Sequence, residues 1–254
     1  MSRVRQWFVD QLTVRGSTRG LAMTRLMLIG IIFFRLLQPL HGSVFGSPVA
    51  SVLSAIATVA AWFAFVGYRT RASLFVLLIT YEYLHIYHGM VLREGYSWRG
   101  VQLGHVLFGL ALTPCGRSLS IDRWLAVRRA RARGEAPPEE EGPRWAVWIL
   151  CIAMSCMYFW AAMDKVDVAW LRGDRVGVLL LRYFGSSDAF AMNPFLTEAA
   201  GAISAVSVTA LELVLAVGLL IPRFRVYMWI PAVILHLSIW ALLGVWPFTI
   251  TNLA

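Results

Sequence analysis

Residues 145–165 read WAVWILCIAMSCMYFWAAMDK, an uncharged run over 145–163 closed by Asp164 and Lys165. A helix rises about 1.5 Å per residue, so a bilayer core of about 30 Å takes about 20 such residues. The run therefore reads as a membrane span. Working outward with the same template finds six more stretches, at 21–39, 49–67, 72–91, 101–115, 198–221 and 226–247. The stretch 101–115 is short and reads as tilted or half-buried. The expectation is an all-α, polytopic transmembrane helix bundle of about seven spans, forming a single domain over residues 1–254.

Composition agrees. The 254 residues are 59% hydrophobic and 15% charged, with a mean hydropathy of +0.66. A soluble domain carries roughly 25% charged residues, so a soluble fold is disfavoured along with disorder, collagen and coiled coil. Eleven Trp, eight Tyr and fourteen Phe are too many for a linker or tail. The net charge of +9 fits arginine in cytoplasmic loops better than nucleic-acid binding, and no nucleic-acid partner is expected. Cys115, Cys151 and Cys156 lie in or beside apolar runs without metal or disulfide spacing, and read as small hydrophobes. No cleavable signal peptide is expected, because Arg3, Arg5 and Asp10 interrupt the start of the chain.

In Met1–Val14, Val4, Trp7, Phe8 and Leu12 alternate with charged residues at helical spacing, which predicts an interfacial amphipathic helix. The stretch 166–193 is too polar to span and too apolar for a loop, so it is expected to lie along the surface or to re-enter. Threading seven spans puts Arg15/Arg19, Arg69/Arg71, residues 128–144 and Arg223/Arg225 on one side. The positive-inside rule makes that side cytoplasmic, in a bacterial inner membrane, with the N-terminus inside. Residues 128–144, with three prolines and mixed charges, read as a solvated hinge.

An ionisable side chain at membrane depth costs several kcal/mol unless it is paired or wet. Such groups are Arg25, Arg35, Glu82, His85, His88, His105, Asp164, Lys165, Asp167, Glu212 and His236. For Arg25 and Arg35 the expected role is an interhelical bond or ion pair holding the bundle. Glu82, His85 and His88 fall on one helix face. No HExxH-like spacing supports a metal there, and no metal site is expected.

Lys165 stands apart. It is the only lysine among 23 Lys plus Arg, leaving 23 − 1 = 22 arginines. Arginine does not lose its proton in proteins, whereas a desolvated lysine does so readily. A neutral amine is a general base or nucleophile. The alternative is a lysine snorkelling from the end of a span to reach water.

The stretch Tyr158-Phe159-x-Ala161-x-x-x-Lys165-x-Asp167-x-x-Trp170-x-x-Gly173 resembles the vitamin K-dependent γ-carboxylase family and the broader bacterial horizontally transferred transmembrane (HTTM) domain that contains it. Further matches follow in order: Arg25 in the first span, Ser120-Ile121-Asp122 after the fourth, Glu212 at an acidic position, and His236 twelve residues before Phe248. The resemblance spans essentially the whole chain. It implies that Lys165 is the base that, in carboxylases, deprotonates vitamin K hydroquinone on the extracytoplasmic side. Two departures argue against protein-glutamate carboxylation. Carboxylases continue into a large extramembrane domain, whereas this chain stops six residues after Phe248, so that domain is expected to be lacking. Their catalytic histidine after the third span has no clear counterpart in Ser97-Trp98-Arg99-Gly100-Val101, and His105 is out of register.

The expected function is a membrane enzyme acting on an isoprenoid or quinone-like lipid, by oxygenation or by terpenoid cyclisation or isomerisation. Lys165 is the base, Asp164 or Asp167 tunes it, and Glu82, Glu212 and His236 are further acid–base candidates. Tyr81, His85, His88, Tyr158, Phe159, Trp170 and Phe248 are the substrate-lining candidates, among a wider aromatic supply that includes Tyr83, Tyr87, Trp98 and Trp160. Such rings line a prenyl pocket or stabilise a cation, or else form an interfacial belt. Arg172 and Arg175 are candidates to hold a diphosphate. No Asp-rich diphosphate–magnesium motif is present, and no cofactor is assigned. The alternatives are a non-catalytic maturation or immunity factor, resembling the membrane protein that matures a sporulation-delaying toxin, and a structural lipid- or quinone-binding subunit.

Overall fold

The computed structural model describes residues 5–6, 9–10, 13–37, 48–91, 98–184 and 194–243. Ten α-helices lie among them: α1 (Arg19–Leu37), α2 (Pro48–Val66), α3 (Thr70–Val91), α4 (Trp98–Leu112), α5 (Ile121–Ala132), α6 (Trp145–Met163), α7 (Val168–Leu171), α8 (Asp174–Phe184), α9 (Pro194–Gly218) and α10 (Trp229–Leu243). Each of the seven stretches expected as spans overlaps a described helix. By length and apolar composition, three of the described helices suffice to cross a membrane: Pro48–Val66, Trp145–Met163 and Glu198–Gly218. Of the others, α4 and α10 are each described over 15 residues, and α1 carries Arg19, Arg25 and Arg35.

The helices form two compact units, residues 1–150 and 151–253. In the first, α2 turns a stripe of small residues inward: Ala50, Ser54, Ala57, Ala61 and Ala64 are buried at helical spacing. Small side chains let backbones approach closely, which is how helices associate in lipid. They pack against Leu28, Ile29 and Ile32 of α1, Leu74 and Leu77 of α3 and Leu103, Leu107 and Leu110 of α4. The opposite face of α2 is large and apolar, with Val52 59% and Trp62 56% exposed. A soluble chain rarely exposes such a continuous face, whereas lipid solvates it.

Two short strands, Arg15–Ser17 and Glu141–Pro143, pair antiparallel with Gly16 opposite Gly142. The middle of the expected hinge, 133–139, is exposed and without helix or strand, while its two ends are ordered. Residues 128–132 complete α5 and 141–143 are held by the strand pair, because the backbone groups at both ends find partners. The N-terminal stretch 1–14 lies mostly outside the described residues.

In the second unit, α9 buries Gly201, Ala205, Thr209, Glu212 and Ala216 along one face. The stretch 166–184 is helical, α7 and α8 joined at Gly173, while 185–193 lie outside the described residues. Gly173 has φ +83°, and a Cβ there would collide with the Ala202 nitrogen. A Cβ at Gly201 would in turn meet the Gly173 carbonyl at 2.8 Å and the Gly177 nitrogen at 3.1 Å. Gly173-x-x-x-Gly177 thus presses the start of α8 onto α9 at glycine-only separation.

Candidate functional site

The second unit gathers four polar side chains of the candidate set, and each reaches its place for a local reason. On α6, Ser155, Tyr158 and Ala162 are buried at three- and four-residue spacing, and Lys165 follows on the same face. Ser155 donates to the Ala216 carbonyl, fixing α6 against α9. The helix ends at Met163, so Lys165 sits on the closing turn with its backbone N–H on the Ala162 carbonyl at 3.0 Å.

From there the Lys165 ammonium donates to Glu212 Oε1 at 2.9 Å, to Oε2 at 3.0 Å and to the Ala161 carbonyl at 2.8 Å. The Lys165 and Glu212 side chains are 20% and 7% exposed. The Trp170 ring lies 5.6 Å from Nζ. The ammonium therefore faces a carboxylate, a carbonyl and a π surface, all of which favour a cation. One turn deeper on α6, the Tyr158 hydroxyl meets His236 Nε2 at 2.9 Å, both side chains buried.

The remaining motif residues hold this arrangement. Asp167 accepts from the Trp170 backbone N–H at 2.7 Å and so caps α7. Trp170 Nε1 donates to the Ala205 carbonyl at 3.3 Å, one end of the contact that Gly173 continues. The five motif positions Tyr158, Lys165, Asp167, Trp170 and Gly173 thus contact α9, contact α10 or shape the turn between them and α6.

The HTTM domain model matches residues 25–254. The chain belongs to the HTTM domain family. No curated protein matches this HTTM chain, and no solved structure matches it. The family match runs through both units, and the motif that suggested it is the set of contacts around Glu212.

The first unit of the HTTM domain holds the other family-like positions. Arg25, wholly buried, donates to the Cys115 carbonyl at 2.8 Å and the Leu119 carbonyl at 2.6 Å. Ser120 caps α5 by accepting from Arg123 N–H at 2.9 Å. Asp122 accepts from the Arg69 and Thr70 backbone N–H groups, each at 2.8 Å, and from the Thr70 hydroxyl at 2.7 Å. Arg25, Ser120 and Asp122 therefore tie the ends of α1, α3, α4 and α5 together, as a buried arginine with carbonyl partners does.

Among the remaining candidates, Tyr81 and His85 stack with ring centroids 6.4 Å apart and planes 6° from parallel. Glu82 occupies the space that a side chain at Gly104 would fill, and His105 acts on it electrostatically. These belong to the first unit. Asp164, Phe159, Arg172 and Arg175 are exposed. The side chains of Arg35, His88, Tyr87 and Trp98, and the whole of Phe248, lie outside the described residues. No cluster of three metal-ligating side chains occurs among the described residues.

Sequence reasoning missed the pairing of Lys165 with Glu212 in favour of Asp164 or Asp167. The available signal was burial pattern: Glu212 lies on the small-residue face of α9 with Ala205 and Thr209, whereas Asp164 lies at a helix end. Ser155 and the Gly173–Gly201 contact were also missed, although Gly173-x-x-x-Gly177 was readable as a close-packing signal.

Proposed function

We propose that this HTTM protein is a multi-pass membrane enzyme in which Lys165 is the general base toward a hydrophobic substrate of isoprenoid or quinol type. The observation that carries the reading is the two-point contact of Lys165 with Glu212 in a half-buried setting. As an ion pair the amine has no free lone pair. Moving one proton along the 2.9 Å contact gives a neutral amine beside a carboxylic acid, with no change in net charge. The amine then takes a proton from the substrate's acidic O–H or C–H, leaving an ammonium beside the substrate anion. Tyr158 and His236 supply a second donor–acceptor pair, and Arg172 and Arg175 a cationic rim for a diphosphate.

Oxygenation of a quinol and cyclisation or isomerisation of a terpenoid are the two chemistries such a base would open. The accompanying topology is one membrane domain of seven crossings in a bacterial inner membrane. Its N-terminus and arginine-rich turns are cytoplasmic and Lys165 is on the outer side. Mass spectrometry of lipids extracted from the purified protein, before and after turnover conditions, tests the reading. Wild type should yield an isoprenoid or quinol-type lipid whose product profile changes in Lys165→Arg; recovery of bulk phospholipid alone would contradict it.

A second reading has its own support. All three Lys165 acceptors are intramolecular, the geometry of a clamp holding 166–184 on α9. A maturation or immunity factor without catalysis needs no more than that, and would tolerate Lys165→Arg.

A further inference from the structure

We infer that the outer face of α2 and α3 binds an anionic phospholipid, with one acyl chain in a groove between the helices and the phosphate on Arg69. The groove has a volume of about 670 Å³ and is lined by the small residues Ala55, Ala60 and Ala72, of which Ala60 is buried and the other two are exposed. Ile56, Val59, Phe63 and Val76 form its walls and are 41–54% exposed, so they have no protein cover among the described residues. From residue 55 to 63 the groove runs about 12 Å along the helix, at about 1.5 Å per residue. Apart from Ser73 its lining is apolar until the turn, where Tyr68 and Arg69 close it.

Arg69 supplies the charge argument. Its guanidinium is exposed and has no partner among the described residues. The neighbouring Arg71 instead donates to the Leu112 carbonyl at 3.0 Å. Arg69 also has φ +44°, which an L-residue rarely adopts, and its N–H is held by Asp122 at 2.8 Å. The turn thereby presents an exposed cation on a held backbone at the polar end of an apolar channel beside a membrane-length helix. A guanidinium fork matches a phosphate, and a phosphodiester joined to a hydrocarbon chain is the ligand with that sequence of chemistry. This site is independent of Lys165.

Native mass spectrometry of the full chain in detergent, with equal amounts of phosphatidylglycerol and phosphatidylcholine of identical chains, tests it. Wild type should retain phosphatidylglycerol preferentially, and Arg69→Gln should cut that preference about fivefold. Ala72→Trp, which fills the groove from its exposed side, should lower retention of both lipids. Arg128→Gln, at an exposed arginine stacked on Trp124, should change neither. Equal loss in Arg69→Gln and Arg128→Gln would mean diffuse attraction to a basic surface and would overturn the site. So would full retention in Ala72→Trp, or a fatty acid or isoprenoid held in place of phospholipid.

Discussion

The ammonium of Lys165 and the carboxylate of Glu212 meet in a two-point contact of 2.9 and 3.0 Å across 47 residues of sequence. This joins the closing turn of α6 to the middle of α9 at a place where neither group has full access to water. Glu212→Leu leaves the lysine charge without its partner. The expected loss is about 2–3 kcal/mol, below the about 3–5 kcal/mol of a fully buried pair because Lys165 keeps 20% exposure. Lys165→Met combined with Glu212→Leu should recover most of that stability in thermal unfolding. A single variant as stable as wild type would show that the contact does not hold the helices.

Asp122 governs the start of α3. Asp122→Ala removes acceptors for two backbone N–H groups and a hydroxyl, and should cost about 1–2 kcal/mol. Thr70→Val removes only the hydroxyl bond and should cost less. Comparison of their melting temperatures checks the order.

Gly173 and Gly134 both have positive φ, but only the first is enclosed. Gly134→Ala, with open space around it, should cost about 1 kcal/mol from the left-handed backbone alone. Gly173→Ala adds an overlap with the Ala202 backbone and should cost about 2–4 kcal/mol and loosen α8 from α9. Amide exchange of 174–184 reads the loosening directly.

Acid should weaken the ion pair of Arg19 with Glu140. Arg19 Nε donates to Glu140 at 2.8 Å and holds its carboxyl below the usual glutamate range, with Arg123 adding to the effect. A depressed folded value means the contact stabilises above the ordinary glutamate value and is lost as pH falls through the folded one. Glu140→Gln should therefore melt below wild type at neutral pH and converge with it in acid. The gap should be small, since both groups are solvated.

The helices were legible because lipid solvation leaves long uncharged runs, and α6 begins and ends where its run does. Lys165 was legible as a solitary lysine among arginines. Its partner was not, because two nearer carboxylates, Asp164 and Asp167, competed in sequence and only folding shows one exposed and the other spent on capping Trp170. The strand pair of Gly16 with Gly142 was hidden for a related reason. Three-residue strands carry no periodicity, and the prolines and charges around them dominate the local signal.

Conversion of bound lipid by Lys165→Arg, measured in protein shown by thermal unfolding to be as stable as wild type, bears most directly on Lys165 as a base. The guanidinium keeps the charge and the contact with Glu212 but does not give up its proton. The prediction is a folded protein that turns over none of the lipid wild type converts. Conversion at the wild-type rate would contradict it and leave Lys165 as a clamp between α6 and α9.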